Sequence, residues 1–504
     1  MKAIYKCLTL SLFMFLGYIA YSQEGNILID RSFWKEKPSI EEIEKKIKEG
    51  HSPTAMTSFN FDPIVYAILE DNSLETIKYL LAQGNPIDKI THDGRTYLMW
   101  AAYKGNLEVM KYLVGQGAKV DVIDQHGYSL FMFPASTGQS NIAMYDYMID
   151  ELDVDIKEEK DRGGRNALVA CASSLKDFEL VNYFISKGLD VNSKDIDGNG
   201  MFHYVAQTGN KETVEKLVKN YKVPISKNEK TNENAVLFAT RRSARSGETE
   251  LSFYKYLVEK YSLDPAIVST DGNNALHNLA TRTKNLEIIK YFVEQGTDPN
   301  QLDDKDNNAL MYASSRSSGE VIGYLISKTE DINSTNKDGL SSLTNAVRSN
   351  SIEVMKLLVD NRADAMVVDT KGNSLAYHLV DTYYDNIKSF KEKLEYLVGL
   401  GVDVKSKKND GTTLVHNAIK KNDVELLKLL LSYGTDINAK DNNGETALHQ
   451  AALQSQDDGM LKFLVDAGAK RELTTEFDET AYDLAKNNEM LADKNVEFLK
   501  AGAE

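Results

Sequence analysis

A period of 33 or 34 residues constrains this chain more than any other feature. The clearest unit runs from Asn442 to Ala452, N-N-G-E-T-A-L-H-Q-A-A. Gly444 suits a tight turn needing positive φ, and Thr446 stands where a helix N-cap belongs. A short apolar run ends at Ala451 and Ala452. Met460, Leu461, Phe463, Leu464 and Val465 then mark a second amphipathic helix, and Gly468 marks its stop. Aligned on Gly444, the units form a ladder at Asn60, Gly94, Gly127, Gly164, Gly198, Asn232, Gly272, Asp306, Gly339, Gly372, Gly411, Gly444 and Asp478. Three steps are longer: 37 residues after Gly127, 40 after Asn232 and 39 after Gly372.

A turn followed by two helices at this period is the signature of one repeat family. D-G-R-T-Y-L-M-W-A-A from Asp93, D-G-N-N-A-L-H-N-L-A from Asp271 and D-G-T-T-L-V-H-N-A-I from Asp410 resemble the ankyrin D-G-x-T-P-L-H-x-A-A. The segments from Asn106 and Asp423 resemble the second half of the same repeat. The chain is similar to the ankyrin-repeat family from Phe59 to its C-terminus. The resemblance implies an all-α ankyrin-repeat solenoid of about 13 helix-turn-helix units, elongated and curved, with degenerate caps at both ends. Such an array is quasi-linear, each unit touching its neighbours, so 504 residues need not be divided into globular domains.

Residues 1–22 read as a secretory signal: Lys2 and Lys6 precede an apolar core from Leu8 to Ala20, with Ala20 and Ser22 before a cleavage site at Gln23. No later stretch is long and apolar enough to span a membrane, so no stable insertion is expected after cleavage. Residues 23–58 form an N-terminal segment and capping helix. There Ile27 to Ile29 reads as a short strand, Phe33 and Trp34 as packing residues, and Ser39 with Glu42 as a capping box before Ile40, Ile43 and Ile47. The array proper covers 59–473. A capping repeat fills 474–504 and is expected to close with a short polar helix. The long steps place insertions between the helices, after Thr240 and after Val380; insertions in such arrays map to one face.

The chain carries a net charge of −16. Removing residues 1–22 takes away two lysines and gives 57 − 75 = −18. An acidic chain of this kind is a poor nucleic-acid binder. Cys171 is then the only cysteine, in a slot for small buried residues, so no intramolecular disulfide is expected. An exported, disulfide-free chain points to a bacterial envelope, with the periplasm as the expected place and the medium as the other.

His203, His277, His416 and His449 occupy the slot of the family's T-P-L-H histidine, for which the resemblance implies a structural role, and their separation over different repeats argues against a metal site. His51, His92, His126 and His378 show no ligand pattern. The sequence lacks H-E-x-x-H, G-x-S-x-G, Walker and C-x-x-C motifs, so neither an enzyme nor a cofactor is expected.

One charge pattern stands out on so acidic a chain. Past the A-A slot, near the end of the first helix, stand Lys104 and then Arg241, Arg242, Arg282, Arg316, Arg348, Lys420 and Lys421, with Arg245 inside the insertion. A row of cations there suits an acidic partner or an anionic ligand, although the helix dipole also favours cations at a helix C-terminus. Tyr103, Tyr128 and Leu340 are further candidate contacts, Tyr128 and Leu340 as exposed apolar residues of the turns. Trp100 fills a slot that packs between repeats and reads as core. The function expected from the resemblance is a monomeric, non-enzymatic scaffold of the bacterial envelope that binds another protein on its concave face. Resemblance also leaves two alternatives: a periplasmic protein that supports a catalase or handles its haem, and a secreted effector acting on a host or neighbouring cell.

Overall fold

The computed structural model describes residues 25–175, 177–241 and 247–503. The expected leader at 1–22, Arg242 and Arg245 lie outside them. Among the described residues the chain is helical and contains no β-strand; isolated bridges such as Thr335 to Ser341 only flank turns. It divides into two compact units, the break falling between Lys230 and Thr231.

Every rung of the ladder sits in the left-handed region. The nine glycines have φ between 72° and 95°, and Asn60, Asn232, Asp306 and Asp478 have φ of 60°, 57°, 62° and 61°. Asn and Asp are the non-glycine residues that tolerate this conformation best, which explains why only they replace glycine here. Asn232 also uses its side chain, donating to the Val268 carbonyl at 2.7 Å. Several turns open with a residue whose side-chain oxygen accepts two backbone amides: Asp303 takes Lys305 N–H at 2.9 Å and Asn307 N–H at 2.8 Å, and Asp441 takes Asn443 and Glu445, both at 2.9 Å. One backbone bond then joins many turns to the next, as in Asp304 N–H to Asp271 carbonyl at 2.8 Å and Thr370 N–H to Asp338 carbonyl at 3.0 Å.

Each rung from Asn60 to Gly444 is followed by two helices. In the Gly339 repeat these are Ser342–Ser349, capped by Ser341, and Ile352–Asp360. The first buries Leu343, Ala346 and Val347 and the second Val354, Met355 and Leu358. Helices of eight or nine residues are marginal alone, so packing against neighbouring repeats supplies their stability.

The unit ending at Lys230 begins with a cap. Ser39 and Glu42 form the capping box of Ile40–Lys48, and Trp34 is fully buried, with its carbonyl accepting the Asn72 side chain at 3.0 Å. Ile27 to Ile29 is a 3-10 turn, not a strand: the Asn26 side chain caps the Leu28 amide, and Leu28 turns inward beneath Trp34. In the unit from Thr231 the closing repeat has one α-helix, Ala481–Asn487. The polar helix expected after it is two 3-10 turns, Glu489–Leu491 and Glu497–Leu499. The buried residues there, Leu491, Val496 and Leu499, stand five and three positions apart, so they form no continuous helical stripe against the repeat before. The insertion after Val380 leaves Thr382 to Asn386 between helices and extends the next helix, Ile387–Gly399, to 13 residues.

Candidate functional site

The basic row ends the first helices of the unit from Thr231, but its members are not equivalent. The Arg241 guanidinium grips both carboxylate oxygens of Glu233 in its own repeat. Glu233 is 3% exposed, and burial raises its carboxyl above the usual range even with Arg241 beside it. Arg241 is thereby the counter-ion of a buried acid. Arg282 is exposed and donates to the Arg241 carbonyl at 2.7 Å. Lys421 donates to the Asp381 carbonyl. Arg316, Arg348 and Lys420 make no ion pair among the described residues, and Arg348 is half-buried.

Arg348, Lys420 and Lys421 converge on a cavity of about 470 Å³ formed by the Gly339, Gly372 and Gly411 repeats. Its wall holds five cations, Arg348, Lys371, Lys408, Lys420 and Lys421, and three carboxylates, Asp338, Asp369 and Asp381. Leu340 lines it too and is half-buried rather than standing out as the sequence implies. Lys408 lies over the Tyr377 ring at 5.6 Å and 3.4 Å from Asp410. Asp369 is held by the Asn373 side chain at 2.7 Å and by the amides of Lys371 and Asn373. Burial alone would raise its carboxyl, but these donors outweigh burial and leave it below the usual range.

His378, which has no sequence pattern to mark it, is the buried member of this wall. Its side chain is 10% exposed, and Nε2 lies 3.3 Å from the Asp369 carboxylate yet is out of line for a hydrogen bond, so that atom has no partner. Burial, helped by the nearby Arg348 charge, holds the imidazole below its ordinary value despite Asp369. Tyr377 occupies the slot that other repeats give to histidine and does the same task, its hydroxyl reaching the Thr412 carbonyl at 2.6 Å. That shift by one position is the signal by which His378 could have been found.

A smaller cavity of about 180 Å³ shares Arg348 and is walled by the insertion after Val380. Lys393 is 8% exposed there, and its ammonium donates to the Val347 carbonyl at 3.1 Å. Burial lowers its pKa. Tyr383 donates to Asp423 at 2.8 Å, and Tyr384 is 90% exposed.

In the unit ending at Lys230 the candidate aromatics belong to a packed ladder. Tyr103 stacks on Phe133 with centroids 5.2 Å apart, and Phe133 meets Trp100 edge-on at 5.6 Å. Arg95 lies 4.0 Å from the Phe133 centroid and binds Asp124 at 2.9 Å. Tyr128 is half-buried, not exposed, because its hydroxyl accepts Arg165 at 3.0 Å and its ring faces Phe133. Lys104 pairs with Asp71 at 2.9 Å. Cys171 is fully buried, and burial pushes its thiol up to about 12, which fits a packing residue.

Three histidines of the repeat slot, His277, His416 and His449, bond to the repeat that follows. Nε2 of His277, His416 and His449 meets the carbonyls of Asn307, Glu445 and Leu473 at 3.0–3.1 Å. Among the described residues no cluster could hold a metal ion. Burial lowers the pKa of all three imidazoles. The unfolded chain therefore takes up their protons first as pH falls below about 6.5, so their contribution is complete above that value and is lost beneath it. We expect the melting temperature to fall between pH 7.5 and 5.5, and His416→Asn with His449→Asn to flatten that slope. A slope unchanged in the double variant would contradict this assignment.

Comparison with known proteins agrees with the geometry. The model described as "Ankyrin repeats (3 copies)" matches residues 39–124, 202–303, 242–336, 278–369 and 384–475, and "Ankyrin repeats (many copies)" matches 167–218. The ANK repeat-containing protein nipk-1 of Caenorhabditis elegans is 28% identical over 153 residues, 30% of this chain and 21% of that protein. The putative ankyrin repeat protein FPV022 of fowlpox virus is 25% identical over 241 residues, 48% of this chain and 38% of that one. The nuclear factor NF-kappa-B p105 subunit of Gallus gallus is 28% identical over 152 residues, 30% and 15% of the two chains. The matches thus span well under half the length of these relatives. Among solved structures, the human ASB11 ankyrin repeat domain aligns at 22% identity and a TM-score of 0.37, over 42% of this chain and 92% of that one.

Proposed function

The chain belongs to the ankyrin-repeat family, and from that premise we propose that it is an exported, non-enzymatic scaffold of the bacterial envelope that binds an acidic protein surface through its basic row. Ankyrin repeats are protein–protein interaction modules, which supports the general class. The observation that carries the specific reading is the row of Arg282, Arg316, Arg348, Lys420 and Lys421 within a chain of net charge −16. Three of these cations, Arg316, Arg348 and Lys420, make no ion pair among the described residues, and the dipole of their own helices favours them there. An acidic partner is repelled by most of the surface and attracted here, which fixes where it docks and speeds its arrival. Export is supported by the leader-like residues 1–22.

The test is the affinity of the full chain for a partner captured from cross-linked envelope or medium fractions, compared with the variant Arg282→Glu, Arg316→Glu, Arg348→Glu. These side chains are exposed or half-buried, so the fold survives. We expect at least a tenfold loss, about 1.4 kcal/mol or more, and a steep salt dependence in the unaltered chain. Unchanged affinity would move the contact to another face.

A further inference from the structure

We propose that the cavity between the Gly339, Gly372 and Gly411 repeats binds a small polyhydroxylated anion, a phosphorylated or carboxylated sugar. The proposal does not depend on the protein partner. Sites for small ligands have volumes of roughly 300–1,000 Å³, and this one is about 470 Å³, which a lone inorganic ion or a single acidic side chain would leave largely unfilled.

The chemistry of the wall divides by position. Arg348, Lys420 and Lys421 come from the ends of first helices, where the only carboxylate is Asp381. Lys421 is committed to the Asp381 carbonyl, whereas Arg348 and Lys420 have no carboxylate partner among the described residues. A half-buried guanidinium and a neighbouring ammonium, neither with a carboxylate partner among the described residues, are the arrangement that a bound oxyanion completes. The planar fork of Arg348 suits two oxygens of a carboxylate or phosphate, and Lys420 adds a second charge.

The opposite side is built from turns and presents Asp338, Asp369, Thr370, Asn373, Lys371 and Lys408. The Asn373 amide N–H is taken by Asp369 at 2.7 Å and the Thr370 hydroxyl donates to the Asp338 carbonyl at 3.2 Å, so the Asp338 carboxylate and the oxygens of Thr370 and Asn373 serve as acceptors for sugar hydroxyls. Asp338 and Asp369 there balance Lys371 and Lys408, so the turn side carries no net charge, whereas Arg348, Lys420 and Lys421 outnumber Asp381 on the helix side. The wall therefore favours one anionic end and a neutral, hydroxylated body.

Isothermal titration of the full chain with glucose 6-phosphate, glucuronate, glucose and inorganic phosphate tests this. At least one anionic sugar should bind with a dissociation constant below 1 mM, and glucose and inorganic phosphate at least tenfold more weakly. The better of the two sugars identifies the oxyanion as phosphate or carboxylate. Arg348→Gln and Lys420→Gln should each weaken that binding at least tenfold, while Arg316→Glu, in the row but outside the cavity, leaves it unchanged. Lys420 is exposed, so its variant separates lost binding from lost folding. The proposal is overturned if neither anionic sugar binds below 1 mM, if Arg348→Gln and Lys420→Gln bind as the unaltered chain does, or if inorganic phosphate binds as tightly as glucose 6-phosphate.

Discussion

Replacing Gly339 with valine is expected to destabilise the unit from Thr231 by about 2–5 kcal/mol. Two costs add. Gly339 has φ of 81°, where a side chain costs about 1–2 kcal/mol and a β-branched one is a true outlier. A Cβ there would also stand 2.8 Å from the Asp369 Cα and the Thr370 amide nitrogen, backbone atoms that cannot swing aside. Relieving such overlap costs a further 1–3 kcal/mol or so. The turn must move, and it carries the Thr370-to-Asp338 backbone bond with it. Asn232→Gly makes the opposite change at an equivalent rung: it relieves left-handed strain and loses the 2.7 Å bond to Val268, so its net effect is expected to stay within about 1 kcal/mol. Denaturant unfolding measures the two differences, and hydrogen exchange locates them. Protection should fall first in the Gly339 and Gly372 repeats. A Gly339→Val chain as stable as the unaltered one would mean that the turns do not stack as described.

Trp100→Ala should cost about 3–5 kcal/mol in the unit ending at Lys230. The indole is 5% exposed and packs against Phe61, Tyr103 and Phe133 at centroid distances of 5.8, 6.0 and 5.6 Å. Its N–H donates to the Thr91 hydroxyl at 2.8 Å, and that hydroxyl in turn donates to the Arg95 carbonyl at 2.6 Å. Truncation opens a cavity, leaves a buried hydroxyl with one bond fewer and removes a face from the Arg95 guanidinium, which lies 5.2 Å from the indole. Thermal and denaturant unfolding read the loss. If stability changes by less than about 1 kcal/mol while partner binding drops, the aromatic ladder is a binding surface and not a core.

The ladder was legible in the sequence because its signal is backbone conformation, which few residues can satisfy. All thirteen rungs have positive φ, the four without glycine among them. The N-terminal capping box was equally legible, since Ser39 and Glu42 act locally. The strand expected at Ile27 was not formed because three apolar residues carry no usable period, and the choice fell to Asn26 and to packing beneath Trp34. The C-terminal helix failed for a related reason: its apolar residues are spaced for turns.

The site was legible only in part. Cations could be counted along the row, but the burial of Glu233 could not, and that acid gives Arg241 a structural task. The cavity joins residues of three repeats, at turns and at helix ends, about 30 positions apart in the chain. Its most telling member, His378, lies one place beyond the slot to which Tyr377 belongs. Tyr128 and Leu340 were found as members of the turns, yet their half-burial follows from contacts with Arg165 and with the cavity wall that a linear pattern does not contain.

The most direct test of the scaffold reading is lysine cross-linking of the full chain to its captured partner, followed by mapping of the linked peptides. Lys420 and Lys421 end a first helix, whereas Lys356, Lys428 and Lys462 lie on second helices of the same unit. The account predicts links concentrated at Lys420 and Lys421 that disappear with the triple charge reversal. Links concentrated at Lys356, Lys428 and Lys462, and unaffected by the reversal, would contradict it.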